Sequence, residues 1–442
     1  MKTASPTRPF AEMIGSLCEQ LEALRHAETT FPVAIKAPAS ELRGWEWLNA
    51  NPSAARLAWR DRSSDAMWAG LGTAAEIALR AGGDPAECLA DCRRQLKGNE
   101  ELRWFGGLSF DGSDSWGRFG AGRFAIPRLM LADGVLTLAV MSSQDVQRAQ
   151  EDLLGFTFDH LPDDRQIPSL VTREYSPTVN GWQSRVDEAL ALIHREVIEK
   201  IVLARRTKLE FAKPLNPITL SQRLDAATHD CFVFCFSFTD ETAFLGATPE
   251  QLFWRSGNTL HSEVVAGTRM RGENPQADEK LAIELLTSDK DQREHDIVRK
   301  SIRQKLHQYI EHLDVDDQAS ILRLTHKQHL RSGVRGELKP DVHDGALLKK
   351  LHPTPAVGGY PTENALPEIA RIEPFNRGWY AAPVGWVSAN SAQFAVAIRS
   401  GLVQSNSLSL YSGAGIVRGS DPEQEWLEVD NKIQDFMSIL NC

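Results

Sequence analysis

The sequence predicts a large protein that mixes α-helices with β-strands, and its length, composition and periodicity support this prediction. A chain of 442 residues can bury a large core, and it allows two or three domains or one large unit. Hydrophobic residues make up 42% of the chain and charged residues 24%, as is typical of a soluble globular protein. A helical stripe is followed by segments that alternate in polarity as β-strands do, and the stripe consists of Val186, Leu190, Ile193 and Val197.

Residues 1 to about 175 carry the weaker patterns. Residues 10–26 predict an amphipathic helix, residues 72–96 contain helical material around Gly82 and Gly83, and residues 134–141 predict a strand. This part contains no charged or glycine-rich site motif, and we expect it to form one side of a sheet scaffold. Its early tryptophans are expected to pack in the core rather than to bind a ligand: Trp45, Trp47, Trp59 and Trp68.

The patterns are sharper from residue 177 onward. The helical stripe predicts a helix that ends at Lys200 and leads into a strand at 201–209. Residues 251–266 predict a hairpin that turns at 256–258, and residues 277–310 predict one long charged helix. The other predicted elements are a short helix at 346–351 and strands at 231–238, 242–247, 386–388, 394–402 and 408–411.

Net charge, apolar runs and cysteine spacing limit the possible partners, the cellular location and the state of the thiols. The formal net charge of -10 argues against nucleic acid or an anionic membrane surface, so an anionic ligand needs a local positive site. Residues 1–10 lack the apolar stretch of a signal peptide, and no run of about 18 apolar residues occurs, so we expect a cytoplasmic location. No Cys-x-x-Cys pair is present, and buried thiols are expected at Cys18, Cys88, Cys92, Cys231, Cys235 and Cys442.

The most informative segment is residues 410–432, which predict a strand, a glycine turn and a helix. Asp421 is suited to cap this helix. Glu425, Glu428 and Lys432 then share one helix face, and two carboxylates beside an ammonium group favour a divalent cation together with an anionic small molecule. A solvated helix face is the alternative, and it is favoured unless another element supplies a further carboxylate.

The glycines at 413–415 invite a nucleotide-binding interpretation, but the spacing disfavours it. In the dinucleotide-binding fingerprint a third glycine would stand at Arg418, and no later strand completes the βαβ unit. The backbone N–H groups of such a turn can instead bind a carboxylate.

Three further residues have both a structural and a functional interpretation, and a fourth is a candidate metal ligand. Lys200 is either a lysine at a helix end whose charge reaches solvent or a general base. Glu250 is either a glutamate in a surface turn or a general acid. Arg399 interrupts an apolar strand, so it forms an internal ion pair or binds a carboxylate ligand. Glu294, on the long charged helix, is the candidate for the additional carboxylate around magnesium.

Several ordered motifs resemble those of the chorismate-utilising enzymes, a family that includes isochorismate, salicylate, anthranilate and aminodeoxychorismate synthases. The motifs are EKIVLAR at 199–205, FLGATPE at 244–250, AGTR at 266–269, KDQREH at 290–295, the loop at 352–359, residues 398–399 and the segment 410–432. The resemblance covers about residues 177–440. It implies an α+β fold, a single large unit (1–442) with extensive antiparallel β-sheets flanked by helices. Within that unit, residues 1–175 would be a variable scaffold and residues 176–440 the motif-bearing catalytic half.

The resemblance implies a catalytic or metal-binding role for five residues. Lys200 is expected to activate water for attack at C2 of chorismate, and Glu250 to protonate the leaving C4 hydroxyl. Magnesium is expected to bind Glu294 and Glu428, with Glu425 in support or binding through water. The metal would neutralise the ring carboxylate of the substrate.

The resemblance also implies how the substrate is held. Arg399, Tyr380 and the backbone of Gly415 are expected to bind the enolpyruvyl carboxylate, and Lys432 the ring carboxylate. The remaining pocket walls are expected at Gly267, Thr268, His329 and Thr354.

Within the family, GSDPEQEW at 419–426 is most similar to the isochorismate synthases of menaquinone (or phylloquinone) biosynthesis, which are isomerases. Lys200 favours water as the nucleophile, because the ammonia-using anthranilate and aminodeoxychorismate synthases typically have a neutral residue there. The alternatives are a salicylate synthase, a siderophore-pathway isochorismate synthase, an ammonia-using synthase component and a non-catalytic metabolite-binding relative. We expect a monomer that acts on chorismate, with no glutaminase subunit, nucleic acid or membrane as a partner.

Overall fold

Two large antiparallel sheets, with helices packed against them, organise the chain. The structure is a computed structural model that describes residues 8–64, 66–158, 166–239, 242–325 and 327–440. The α-helices are α1 Arg8–His26, α2 Gly44–Asn49, α3 Pro85–Leu96, α4 Val146–Gly155, α5 Val179–His194, α6 Pro217–Ala227, α7 Pro275–Thr287, α8 Asp289–Leu306, α9 Asp344–Leu351, α10 Thr362–Ile372, α11 Pro422–Lys432 and α12 Gln434–Ile439.

The strands follow the same chain order. They are β1 Val33–Pro38, β2 Arg56–Arg60, β3 Met67–Leu71, β4 Ala75–Leu79, β5 Trp104–Leu108, β6 Gly122–Ile126, β7 Leu129–Ala132, β8 Val135–Val140, β9 Leu170–Ser176, β10 Lys200–Phe211, β11 Phe232–Ser237, β12 Thr242–Thr248, β13 Gln251–Ser256, β14 Thr259–Met270, β15 Ile310–Val315, β16 Ser320–Arg323, β17 Lys327–Leu338, β18 Gly359–Tyr360, β19 Pro383–Val387, β20 Ser391–Val396, β21 Ser400–Gln404 and β22 Ser407–Val417.

Early and late parts of the chain share both sheets. The first sheet has the order β1-β8-β7-β3-β2-β11-β12-β21-β22-β10-β18, with β9 also paired to β10. The second has the order β15-β17-β14-β13-β20-β19-β5-β6-β4, with β16 paired to β17. The predicted α+β class with extensive antiparallel sheets is therefore confirmed. The division at residues 175 and 176 stays a prediction.

Two apolar cores result from this layering. On β11, Phe232, Phe234 and Phe236 pack in the core shared with strands of the second sheet, while Val233 and Cys235 pack in the core under the helices of the first. Successive side chains of a strand point to opposite faces, so β11 is apolar throughout because both of its faces are buried.

Several predictions for residues 1 to about 175 are right in kind. α1 and β8 form where a helix and a strand are predicted, and the helical material at 72–96 is confined to α3, because β4 occupies Ala75–Leu79. The early tryptophans pack as expected: Trp45, Trp47 and Trp59 are buried, and Trp68 packs against the shared core. Cys18 is half-buried and the other described cysteines are buried, while Cys442 lies outside the described residues.

Three predictions for the second half are wrong in their boundaries. The helix before Lys200 ends at His194, so Lys200 opens β10 instead of closing a helix. The long helix at 277–310 is two helices, because the backbone of Ser288 is extended and its hydroxyl caps α8 by accepting from the N–H of Asp291. The strand at 394–402 is broken at Arg399, whose φ of 48° lies in the left-handed region.

The Gly413-Ala-Gly415 segment is a strand and not a turn. Both glycines lie inside β22, paired in register with β10, and the chain turns only at Gly419, where φ is 88°. Asp421 caps α11 as predicted, since its side chain accepts from two backbone N–H groups of the first turn. Among the described residues, no helix has the length and apolar character needed to cross a membrane.

Candidate active site

A cavity of about 260 Å³ is lined by strands of both sheets and by helices α8 and α11. It collects most of the residues that the sequence singles out: Glu250, Gly267, Thr268, Glu294, His329, Tyr380, Arg399, Gly415, Glu428 and Lys432. The other three predicted site residues do not line it directly. Lys200 and Glu425 are buried beside its wall, and Thr354 is buried on the loop that brings Ala356 and Val357 to the cavity.

Lys200 lies on β10, which pairs with the glycine-containing strand β22, and its side chain reaches a carboxylate on α8. Its side chain is fully buried, and Nζ donates to Oε1 of Glu294 at 2.7 Å. A Cβ atom at Gly415 would come within 2.8 Å of Lys200 Cε and 3.2 Å of Glu294 Oε1. Only a glycine at position 415 leaves these two side chains in place.

The register of β22 shows what the glycine strand offers to the cavity. The N–H groups of Val202 and Ala204 point away from β22 and donate to acceptors on the other side of β10. In an antiparallel ladder the residues opposite them, Gly415 and Gly413, must therefore point their own N–H and C=O groups away from β10. On that side β21 no longer covers β22, because their pairing ends at Tyr411. Lys432 Nζ donates a hydrogen bond to the carbonyl oxygen of Gly413, at 2.8 Å. The break at Arg399 thus leaves a strand edge free for polar contacts.

Glu250 is a carboxyl group suited to hold a proton. It is 6% exposed, and burial, followed by the negative charge of Glu263, raises its pKa to about 8; Lys200 and Lys432 act in the opposite direction. Its backbone is fixed, since its carbonyl oxygen accepts from the N–H of Val396 at 3.0 Å. At neutral pH this side chain is mostly protonated and can donate a proton.

A cation stands on another wall of the cavity. Arg399 Nη2 lies 2.9 Å from Nε2 of His329, and because a guanidinium group only donates, Nε2 must accept. The ring proton is therefore on Nδ1, which lies 3.0 Å from Thr268 Oγ1 and 3.2 Å from the carbonyl oxygen of Gly267. Burial and Arg399 hold the pKa of His329 well below its usual range. His329 is neutral, and Arg399 carries the charge.

Helix α11 carries two carboxylates at the cavity, and each of them pairs with a lysine. Glu428 Oε1 and Lys432 Nζ are 2.7 Å apart. Burial raises the pKa of Glu428, but Lys432 and Lys290 outweigh this effect and the net pKa is lowered. Glu425 is 3% exposed, and burial and then the charge of Glu428 raise its pKa. Its nearest cation is Lys290, at 3.7 Å.

The carboxylate donors fit a hard divalent cation such as magnesium. The described residues contain no group of three or more His, Cys, Asp or Glu side chains placed to hold a metal by themselves. Magnesium typically binds one or two carboxylates and completes its shell with water and ligand oxygens. Glu294 and Glu428 line an open cavity, so they can supply the protein's part of such a shell.

Sequence reasoning missed three charged residues on the cavity wall. Lys290 lines the cavity, as do Arg269 and Asp291, which form an ion pair of 2.8 Å. All three stand inside motifs already noted, AGTR and KDQREH, so position within those motifs was the available signal.

Comparisons with known proteins show which family and which structures this chain resembles. The chorismate binding enzyme family matches residues 19–441. Isochorismate synthase MenF of Escherichia coli (strain K12) is 34% identical over 402 residues, which cover 89% of this chain and 90% of that protein. The chloroplastic isochorismate synthase of Catharanthus roseus is 33% identical over 77% of this chain, and the chain spans 62% of its length.

A solved structure of similar architecture is that of MenF, the menaquinone-specific isochorismate synthase from Escherichia coli. It superposes with a TM-score of 0.85 at 32% sequence identity. The superposition covers 96% of this chain and 100% of that one.

Proposed function

The chain belongs to the chorismate binding enzyme family, and we propose that it is an isochorismate synthase of menaquinone biosynthesis. It isomerises chorismate to isochorismate by adding water at C2 and releasing the hydroxyl at C4. The observation that carries the catalytic part of this proposal is that Glu250, whose pKa is raised to about 8, lines the cavity while Lys200 is buried beside its wall. The likeness to MenF of Escherichia coli over nearly the whole chain supports the pathway.

Two side chains divide the proton transfers. Lys200 takes a proton from the attacking water, and Glu250 gives its proton to the departing hydroxyl group. An acid for this step must remain protonated near neutral pH, and a pKa of about 8 meets that requirement. The family resemblance supplies the assignment of each role, and the burial of both groups supports it.

The charges around the cavity suit a dianionic substrate. Arg399 and Lys432 provide fixed positive charge, and Tyr380 and the free edge at Gly415 provide further polar groups for a carboxylate. Magnesium would be held by Glu294 and Glu428, with Glu425 in support, and when bound it would neutralise the ring carboxylate. The neutral His329 holds Arg399 in place through Nε2.

A cytoplasmic location and a monomeric state remain predictions.

One product assay tests the proposal. The purified protein is incubated with chorismate and magnesium, and the products are separated chromatographically, with Lys200→Ala and Glu250→Gln as controls. Isochorismate that accumulates with wild type alone is the expected result. Salicylate and pyruvate would instead indicate a salicylate synthase, a product that requires ammonia would indicate an aminating enzyme, and absence of turnover would reject the enzyme proposal.

A further inference from the structure

One ion pair holds the backbone on both sides of Glu250. Nη1 of Arg62 donates to the carbonyl oxygen of Pro249, the residue before Glu250. Oε1 of Glu263 accepts from the N–H of Gln251, the residue after it, at 3.0 Å. Arg62 and Glu263 are themselves joined by two hydrogen bonds of 2.6 Å. We call the pair of Arg62 and Glu263 the bracket, because its two side chains hydrogen-bond to the peptide groups on both sides of Glu250.

The bracket lies where the chain passes from one sheet to the other. β12 belongs to the first sheet and β13 to the second, so Pro249 and Glu250 form the crossing. Arg62 follows β2 in the early part of the chain, and Glu263 lies on β14. The crossing segment has no continuous ladder: Val396 donates to the carbonyl oxygen of Glu250, and Arg62 and Glu263 add hydrogen bonds from two distant elements to the peptide groups on either side.

Both side chains are too well buried for an incidental surface pair. The Glu263 side chain is 1% exposed and that of Arg62 is 11% exposed. Arg331, on β17, adds a third hydrogen bond, since its Nε donates to Glu263 Oε2 at 2.8 Å; among the described residues, the side-chain hydrogen bonds to the backbone of Pro249 and Gln251 come from Arg62 and Glu263. A buried, bidentate arginine–carboxylate pair fixes geometry strongly, because breaking it leaves a buried charge without a partner.

We propose that Arg62 and Glu263 are positioning residues for Glu250: they fix the two peptide groups beside it and so aim its carboxyl group into the cavity. This inference rests on the proposed function, since it takes Glu250 as the proton donor. It also gives the early part of the chain a direct link to the reaction, through Arg62.

The charge of Glu263 has a second effect at the same place. It is the second-largest cause, after burial, that raises the pKa of Glu250, whereas Lys200 and Lys432 lower this pKa. The phenol of Tyr380 also faces this carboxyl group. The charge of Glu263 therefore adds to the effect of burial in keeping Glu250 protonated. A variant that removes the charge and one that removes only the contact separate these two effects.

The positioning effect is tested with variants of the two arginines. Arg62→Met is expected to lower kcat at least about tenfold at pH 7 with little change in KM, because small displacements of a catalytic group are costly. Arg331→Met is the matched comparison, since it also removes an arginine from Glu263 but leaves both flanking peptides tethered; we expect a loss of less than about threefold. Arg62→Lys should restore part of the rate. Equal losses in both methionine variants, or a change confined to KM, would overturn the positioning role.

Glu263 variants separate contact from charge. Glu263→Asp keeps the charge but withdraws the oxygen from Gln251, so kcat should fall while the alkaline limb of the pH profile stays in place. Glu263→Gln removes the charge, so that limb should move down by about one pH unit. A limb that moves equally in both variants, or in neither, contradicts the proposal, and Glu263→Asp remains informative where Glu263→Gln does not fold.

A measurement without substrate separates this inference from the proposed function. The carboxyl band of Glu250, isolated as the infrared difference between wild type and Glu250→Gln, is titrated in the protein alone. Its midpoint should be lower by about one unit in a Glu263→Gln background. If wild type does not convert chorismate, the proposed function fails, but this shift, or its absence, still decides whether Glu263 tunes Glu250.

Discussion

Replacing Glu250 with glutamine should change how stability depends on pH, and the structure gives the sign. The pKa of Glu250 is raised from 4.5 to about 8 in the folded protein, chiefly by burial. The folded state therefore binds this proton more tightly than the unfolded chain does. The group's contribution to stability is fully present below pH 4.5 and is lost as the pH rises through about 8.

The size of this effect follows from the same shift. One pKa unit corresponds to about 1.4 kcal/mol, so the free energy of unfolding of wild type should fall by about 3 kcal/mol between pH 5 and pH 8 through this group alone. Glu250→Gln cannot ionise and lacks that loss. It should therefore become more stable relative to wild type as the pH rises, although it should have almost no activity.

Urea unfolding of both proteins, measured at intervals from pH 5 to pH 8, checks this prediction. Other groups titrate in the same range, so the quantity of interest is the difference between variant and wild type at each pH. Glu284→Gln, at an exposed helical position, is the control and should leave the difference constant. Parallel stability curves for wild type and Glu250→Gln would refute the view that burial keeps this carboxyl group protonated.

Three other substitutions have expected outcomes that follow from single contacts. Lys200→Ala should lower kcat by at least about a hundredfold, as loss of a general base does, and a rate near wild type in a steady-state assay would contradict its role. Gly415→Ala should lower kcat/KM by about tenfold or more with an unchanged fold by circular dichroism, because its Cβ would lie 2.8 Å from Lys200 Cε. Glu428→Gln should raise the magnesium concentration needed for half-maximal rate by at least about tenfold, whereas an unaltered magnesium titration would exclude Glu428 as a ligand.

Local pattern was enough to find the elements that carry the site. Asp421 caps α11 and the hairpin of β13 and β14 turns where the sequence predicts, because capping and turn chemistry depend on neighbouring residues only. Most of the residues implied by the family resemblance line one cavity. Spacing along the chain alone could not have placed Glu294 beside Lys200, which are 94 positions apart.

The wrong boundaries have one physical origin, which is that tertiary contacts decide where a strand or helix stops. Gly413 and Gly415 look like a turn in sequence because glycine favours turns, but their strand is fixed by pairing with β10 over its whole length. Arg399 sits in an apolar run that predicts a continuous strand, yet its backbone turns to the left-handed region. Nothing in the local sequence shows that its side chain must meet His329.

The break at Arg399 and the strand conformation of Gly413 and Gly415 are structurally connected. Because of the break at Arg399, β21 begins only at Ser400, and its pairing with β22 therefore stops at Tyr411 and leaves the edge of β22 open at the glycines. The same break places a guanidinium group on the cavity wall beside that open edge. A strained backbone position costs about 1–3 kcal/mol and persists only where its surroundings enforce it. Here one break in a strand places a guanidinium group and free backbone groups side by side on the same wall of the cavity.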